Sequence, residues 1–203
     1  MKKLIFLAFL FLLGTQLTIA QSDYQTRDEP TETLFSHLRL RGGFGAILFE
    51  SSQLKGDYRP SLGGGAGLVF DELFVGWYGL GSTDYQALLD GAEPELDIAH
   101  GGFWVGYTYP THKLIHAYGS VKIGWGAVGV NLQDDFDHWH RNADGIFVLT
   151  PEAGVELNVA RWFRISAGAS YRIVDGVRTS GYTNQDFSGL NASIGLRFGW
   201  FGR

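Results

Sequence analysis

The stretch from Ser188 to Phe201 restricts the fold of this chain more than any other. At period two, one face carries Leu190, Ala192, Ile194, Leu196, Phe198 and Trp200, and the other Asn191, Ser193, Gly195, Arg197 and Gly199. Six apolar residues in strict alternation have the period of a strand, not of a helix. The opposite face is small and polar and holds one charge. A strand that is apolar on one side, small-polar on the other and aromatic at its end suits a sheet with hydrocarbon outside and a polar interior.

Seven earlier stretches read in the same way. The first, about 36–49, sets Leu38, Leu40, Phe44, Ala46 and Leu48 against Arg39 and Arg41. The second, about 60–70, alternates Leu62, Ala66, Leu68 and Phe70 with glycines and Ser61. The third, about 73–82, is ambiguous, because Leu73, Val75 and Trp77 compete with Phe74, Tyr78 and Leu80. The fourth, about 96–109, sets Phe103, Val105, Tyr107 and Tyr109 against His100, Gly102, Trp104 and Thr108. The fifth, about 115–130, turns Ile115, Ala117, Val121, Ile123, Trp125 and Ala127 outward and His116, Tyr118, Ser120 and Lys122 inward. The sixth, about 146–159, sets Ala153, Val155, Leu157 and Val159 against Glu152, Gly154, Glu156 and Asn158. The seventh, about 162–174, sets Phe163, Ile165, Ala167, Ala169, Tyr171 and Ile173 against Arg164, Ser166, Gly168, Ser170 and Arg172. Pro151 has no N–H to give a ladder, so a bulge or a strand end is expected there.

The joins alternate in length. Residues 50–59, 83–95, 131–145 and 175–187 form long polar connections, whereas Asp71-Glu72, Pro110 to Leu114 and Ala160 to Trp162 are short. Long joins at one end and short turns at the other are the pattern of outer-membrane barrels, with the short turns periplasmic. Aromatic residues flank the short turns: Phe70, Phe74, Tyr107, Tyr109, Trp162 and Phe163, with Phe198 and Trp200 at the same level. They form one interfacial girdle, and Phe49, Tyr58, Tyr85, Phe147 and Phe187 form a second. The fold class expected is all-β: a single eight-stranded antiparallel up-and-down transmembrane β-barrel. The competing reading is a soluble barrel with its apolar face inward.

Composition narrows the setting. Residues 1–20 read as a secretory signal, with Lys2 and Lys3 before the apolar run Leu4 to Leu13 and a cut before Gln21. Residues 21–35 form a short polar periplasmic lead and 36–203 the barrel. Loss of the two lysines takes the formal charge from −5 to −7, which disfavours nucleic acid as a partner. The chain has no Cys, which excludes a disulfide framework, a thiol nucleophile and a lipid-anchored cysteine. Beyond residue 20 no run of about 18 apolar residues remains, so no transmembrane helix is expected.

With its alternating terminal strand and its aromatics Phe198 and Trp200, the chain resembles the small bacterial outer-membrane barrels of the OmpA/OmpW type. The resemblance implies that the last strand closes against the first and presents the chain to the barrel-assembly machinery. It also implies an outer-membrane location, contact with outer-membrane lipids, both mature termini periplasmic and a monomeric state. The class usually ends on the aromatic itself, whereas this chain adds Gly202 and Arg203.

An eight-stranded barrel is just wide enough to fill with side chains. The registers above send Arg39, Arg41, Lys122, Glu152, Glu156, Arg164, Arg172 and Arg197 into the lumen. There they form either a salt-bridge network that plugs the barrel or a path for small anions. For the hairpin between strands six and seven, a three-residue turn at Ala160 to Trp162 pairs Val159 with Phe163 and places Glu156 diagonal to Arg164, within ion-pair reach. No cofactor is expected. The third long loop carries Asp137, His138 and His140 as weak metal-ligand candidates, in a spacing that matches no closed site. The acidic outer loops, which include Asp84, Asp90, Glu93 and Glu95, suit divalent cations that bridge surface lipids. His116 and Ser120 lie too far apart along one strand for direct contact. The function expected is therefore non-enzymatic, structural or small-solute or surface-ligand binding. The alternatives are a narrow channel or carrier and an outer-membrane lipid-modifying enzyme.

Overall fold

The computed structural model describes residues 38–54, 57–82, 96–130 and 144–202. Residues 1–20 and 21–35, read above as signal and lead, lie outside the described residues. Eight strands follow in order: β1 (Leu40–Leu54), β2 (Asp57–Phe70), β3 (Leu73–Ser82), β4 (Leu96–Tyr109), β5 (Ile115–Val130), β6 (Asp144–Ala160), β7 (Phe163–Asp175) and β8 (Gly189–Trp200). A single-turn helix, α1 (Asn184–Phe187), precedes β8. Each strand pairs antiparallel with the next, and β8 pairs with β1, so the sheet is a closed up-and-down barrel with no free edge.

The barrel is inverted relative to a soluble one. Its outer face exposes Ile47, Trp77, Phe103, Trp125, Val155 and Ile194. Its interior buries Glu50, His116, Lys122, Glu152, Glu156, Arg164, Arg172 and Arg197. On β4 to β8 the inward and outward residues fall as the alternation predicts.

On β2 Leu62, Ala66 and Leu68 face outward as read from the sequence, whereas β1 departs from that reading and β3 settles its ambiguity. The register shifts between Leu40 and Gly42. Leu40 therefore points outward, while Phe44 and Leu48, expected on the same face, are buried inside and Ala46 packs with them. On β3 the contest resolves with Val75 and Trp77 outward and Phe74, Tyr78 and Leu80 inward. Phe74, placed in the girdle by sequence, is only 3% exposed. Its ring lies over Gly106, where a Cβ would come within 2.3 Å of it, so the interior offers it a slot that no other residue type would leave open. The other turn-end aromatics face outward: Tyr107, Tyr109, Trp162, Phe198 and Trp200 are exposed, and Phe70 and Phe163 are half-buried among them. Phe163 and Phe198 stack with centroids 4.8 Å apart, and Trp162 stacks on Phe198 at 6.2 Å.

Two connections and the proline inside β6 also differ. Residues 50–59 were read as a long join, but β1 and β2 pair as far as Leu54↔Asp57, which leaves two residues between them. Glu50 and Ser52 are strand residues that face in and are buried, whereas Ser51 between them faces out. Pro151 makes neither a bulge nor a strand end. The ladder to β7 keeps one register from Leu149↔Ile173 to Glu152↔Ser170 and omits only Thr150 and Pro151, while Val121↔Pro151 persists on the β5 side. A missing N–H removes a bond to one neighbour only. In the β6–β7 hairpin the pairs Asn158↔Arg164, Leu157↔Ile165 and Glu156↔Ser166 form as computed from the turn. Val159 does not pair with Phe163, because a bulge at Val159 sets Ala160 opposite Phe163.

At the loop end, Phe187 belongs to no outer girdle. It is fully buried against Ile98, Val128, Ile146, Val148 and Val174, with Val177 and Tyr182 beside it. A capping box joins Thr183 to Asp186 and starts α1, and the helix turns Phe187 over the mouth. Phe49, Tyr58 and Phe147 are exposed at that end. Tyr85 lies outside the described residues.

These faces predict how the barrel tolerates charge. Ile194, midway along β8, is 53% exposed on the outer face. Ile194→Arg should destabilise by about 2–4 kcal/mol, against about 0–1 kcal/mol for Leu114→Arg in the β4–β5 turn. Reversible guanidinium unfolding in phospholipid vesicles measures both, and equal losses would show that depth in hydrocarbon does not set the cost.

Candidate functional site

The lumen is filled in layers. Nearest the short turns lies an aromatic floor. Phe44 meets Phe74 and Trp104 edge-on at 5.6 and 5.7 Å, and Phe201 stacks beneath Phe44 at 6.1 Å. The sequence reading gave Phe201 no face, yet it is buried inside. The guanidinium of Arg197 sits over this floor, 4.6 Å from the Trp104 ring, 4.7 Å from Phe74 and 5.3 Å from Phe44 and Tyr118. Arg164 lies 3.9 Å over Phe201. Guanidinium groups favour such contacts because they are planar and weakly hydrated.

Above the floor, Glu156 is fully buried. Its Oε1 accepts from Arg164 Nη1 at 2.8 Å and its Oε2 from Arg197 Nη1 at 2.8 Å. His116 Nε2 lies 3.0 Å from Oε1. Two guanidiniums and an imidazole thus converge on one carboxylate. The diagonal Glu156–Arg164 follows from the hairpin register, and the second cation is Arg197 rather than Arg172.

The next layer has the opposite composition, one cation between two carboxylates. Lys122 bridges Glu50 and Glu152, with its Nζ 2.9 Å from Glu152 Oε2. Glu152 Oε1 also accepts from Tyr118 at 2.5 Å and from Ser193 at 2.8 Å. Tyr78 OH lies 3.1 Å from His100 Nδ1. Sequence reasoning missed Glu50, because it fell in a segment read as loop.

Arg172 forms the top layer and makes no salt bridge to a carboxylate among the described residues. Its Nε donates to the Phe187 carbonyl at 2.9 Å, its Nη1 to Ser52 Oγ at 3.1 Å and its Nη2 to the Gln53 carbonyl at 3.5 Å. It ties the lid residue to the end of β1. Asp144 holds the same segment from outside, accepting from the Arg178 and Thr179 backbone at 2.7 and 2.5 Å and from the Thr179 hydroxyl at 2.7 Å.

Arg39 and Arg41, placed in the lumen by sequence, are exposed at the turn-end rim. The shift beside Arg41 delays the inward set until Phe44, and both arginines stay where water solvates them. Asp137, His138 and His140 lie outside the described residues, as do Asp84, Asp90, Glu93 and Glu95. Among the described residues no group of His, Cys, Asp or Glu is arranged to hold a metal ion. Within the lumen the described imidazoles are committed to Tyr78 and to Glu156, and His116 Nδ1 also lies 3.3 Å from the Lys113 carbonyl.

This inverted, polar-cored barrel agrees with the comparisons to known proteins. A family model described as outer membrane protein beta-barrel domain matches residues 7–198. No curated protein matches. Neisserial surface protein A superposes with a TM-score of 0.56 at 17% identity, over 77% of this chain and 94% of that one. Ail, the attachment invasion locus protein of Yersinia pestis, gives 0.48 at 12% identity over 80% and 99%, and OprG from Pseudomonas aeruginosa 0.41 at 14% over 79% and 94%. The likeness to Neisserial surface protein A, at 17% identity, is one of fold. Since the family model covers nearly the whole chain, the protein belongs to the outer membrane protein beta-barrel domain family and is a β-barrel of the bacterial outer membrane.

Proposed function

We propose that this protein is a non-enzymatic outer-membrane barrel with a closed lumen, acting through contacts made at its loop end. The observation that carries this reading is the filling of the lumen at every level: the aromatic floor, the Glu156 and Lys122 clusters, then Arg172 beneath the buried Phe187. Charges placed in paired clusters suit a structural plug. The absence of enzymatic activity is supported by the lumenal imidazoles, whose partners are a phenol and a carboxylate rather than a serine hydroxyl. The short turns and both termini face the periplasm, after removal of residues 1–20. β8 presents the chain to the assembly machinery, and the closed ladder favours a monomer. The acidic loops at the other end suit divalent cations at the lipid surface.

The reading is tested by conductance. Purified protein in planar bilayers should give no stepwise current. Reproducible steps would overturn it in favour of a narrow solute path, and the four buried Lys and Arg side chains against three Glu would make that path anion-selective.

The plug also predicts coupled stabilities. Glu156→Gln leaves Arg164 and Arg197 without their carboxylate and should cost about 3–5 kcal/mol. Arg164→Gln should cost less, because Glu156 keeps Arg197 and His116. The double variant should lose less than the two single losses together. Thermal unfolding in detergent measures all three, and simple additivity would show that the pair contributes nothing.

A further inference from the structure

Below the aromatic floor the barrel opens at its turn end into a vestibule of about 490 Å³. Its wall brings together Arg41 from β1, Asp71 and Glu72 from the β2–β3 turn, Arg161 from the β6–β7 turn and Arg164 from β7, over Phe201. These charges are not equally committed. One Asp71 oxygen accepts the Arg39 backbone N–H at 3.0 Å and the other accepts from Arg41 Nε at 2.6 Å. The same two contacts hold its carboxyl below the ordinary carboxylate range, so Asp71 and Arg41 satisfy each other at neutral pH. Arg164 is turned inward to Glu156 and Phe201. Arg161 is exposed and Glu72 half-buried, and neither meets an ion-pair partner among the described residues.

A cavity that offers one uncommitted guanidinium and one uncommitted carboxylate selects by sign. A dianion gains at Arg161 and is repelled at Glu72, and a simple cation meets the reverse. A ligand carrying both signs satisfies both. The planar fork of arginine matches phosphate oxygens. Trp200, 69% exposed on the outer rim of the same vestibule, offers an apolar ring beside the exit at the depth of the aromatic girdle. We propose that the turn-end vestibule is a binding site for a phosphate group that bears a primary amine, with the phosphate on Arg161 and the ammonium on Glu72. This chemistry occurs in soluble phosphoethanolamine compounds and in phosphatidylethanolamine headgroups.

The experiment uses the folded full-length protein in phosphatidylcholine nanodiscs, titrated with O-phosphorylethanolamine or with inorganic phosphate and followed by calorimetry. The zwitterion should bind saturably and about fivefold tighter than phosphate, the upper end of what one exposed charge contact contributes. Arg161→Gln should weaken both ligands by about tenfold. Glu72→Gln should remove the preference by weakening only the zwitterion. Neither residue supports the fold through an ion pair, and Arg178→Gln at the loop end serves as the unaffected control. Phosphatidylethanolamine added to the disc should compete with the probe if the group arrives on a lipid, and an unchanged titration assigns it to a soluble compound. Absence of saturable binding, or equal losses in Arg161→Gln and Arg178→Gln, or an intact preference in Glu72→Gln, would overturn the proposal.

Discussion

Closing eight strands leaves an interior so narrow that a large inward side chain needs an absent one across the ladder. The barrel meets this condition with glycine. Phe44 pairs with Gly67 and Gly199, Phe74 with Gly106, Trp104 with Gly76, Tyr78 with Gly65 and Gly102, and Tyr118 with Gly154. A Cβ at Gly67 would stand 3.1 Å from the Phe44 ring, and one at Gly154 would stand 2.8 Å from Tyr118. With those Cβ atoms missing, the rings lie across the lumen and pack into one floor. Arg197 gains the ring faces around its guanidinium from this floor, and the floor in turn aims it at Glu156.

The charges follow from the same narrowness. A charge in a dry, confined space must be paired or satisfied by hydrogen bonds. The two middle clusters achieve this with opposite stoichiometry, one carboxylate under two guanidiniums and one ammonium between two carboxylates. Arg172 is the odd cation, and its acceptors are neutral: two carbonyls and a hydroxyl. One of those carbonyls belongs to Phe187, so the buried cation that makes no salt bridge among the described residues is also the one that fastens the lid.

Much of this was legible in the sequence where the lumen is polar. From β4 to β8 a polar inward face alternates with an apolar outward one, and period two reads directly as inside and outside. In β1 and β3 both faces are apolar, because their inward residues build the aromatic floor, and hydrophobicity alone cannot choose between the faces. Phe74 went astray for that reason. Inward Phe74 and Trp104 each face a glycine on one side, Gly106 and Gly76, whereas outward Trp77 faces Ala66 and Phe103. The polar run 50–59 misled in the other direction, since Glu50 and Ser52 are polar because they face the lumen rather than because they form a loop. The Glu156–Arg164 diagonal was legible from parity alone. The bulge at Val159 was not, because a bulge next to the turn leaves the parity of the inner pairs unchanged.

The two ends of the barrel are built as separate sites, and Arg164 marks the boundary. The loop end is closed by apolar contacts around Phe187, whereas the turn end is an open, charged vestibule. Arg164 alone among the buried lumenal charges also lines that vestibule. An anion bound there would compete with Glu156 for Arg164, yet Glu156 would keep Arg197 at 2.8 Å and His116 at 3.0 Å. Lys122 would keep Glu50 and Glu152, and Arg172 would keep Phe187 and Ser52. A ligand shifts an equilibrium only as far as its contacts differ between two states. The contacts that fasten Phe187 run through Arg172 to Ser52 and the Phe187 carbonyl and do not involve Arg164's bond to Glu156, so binding at the turn end would remain local and leave the lid in place.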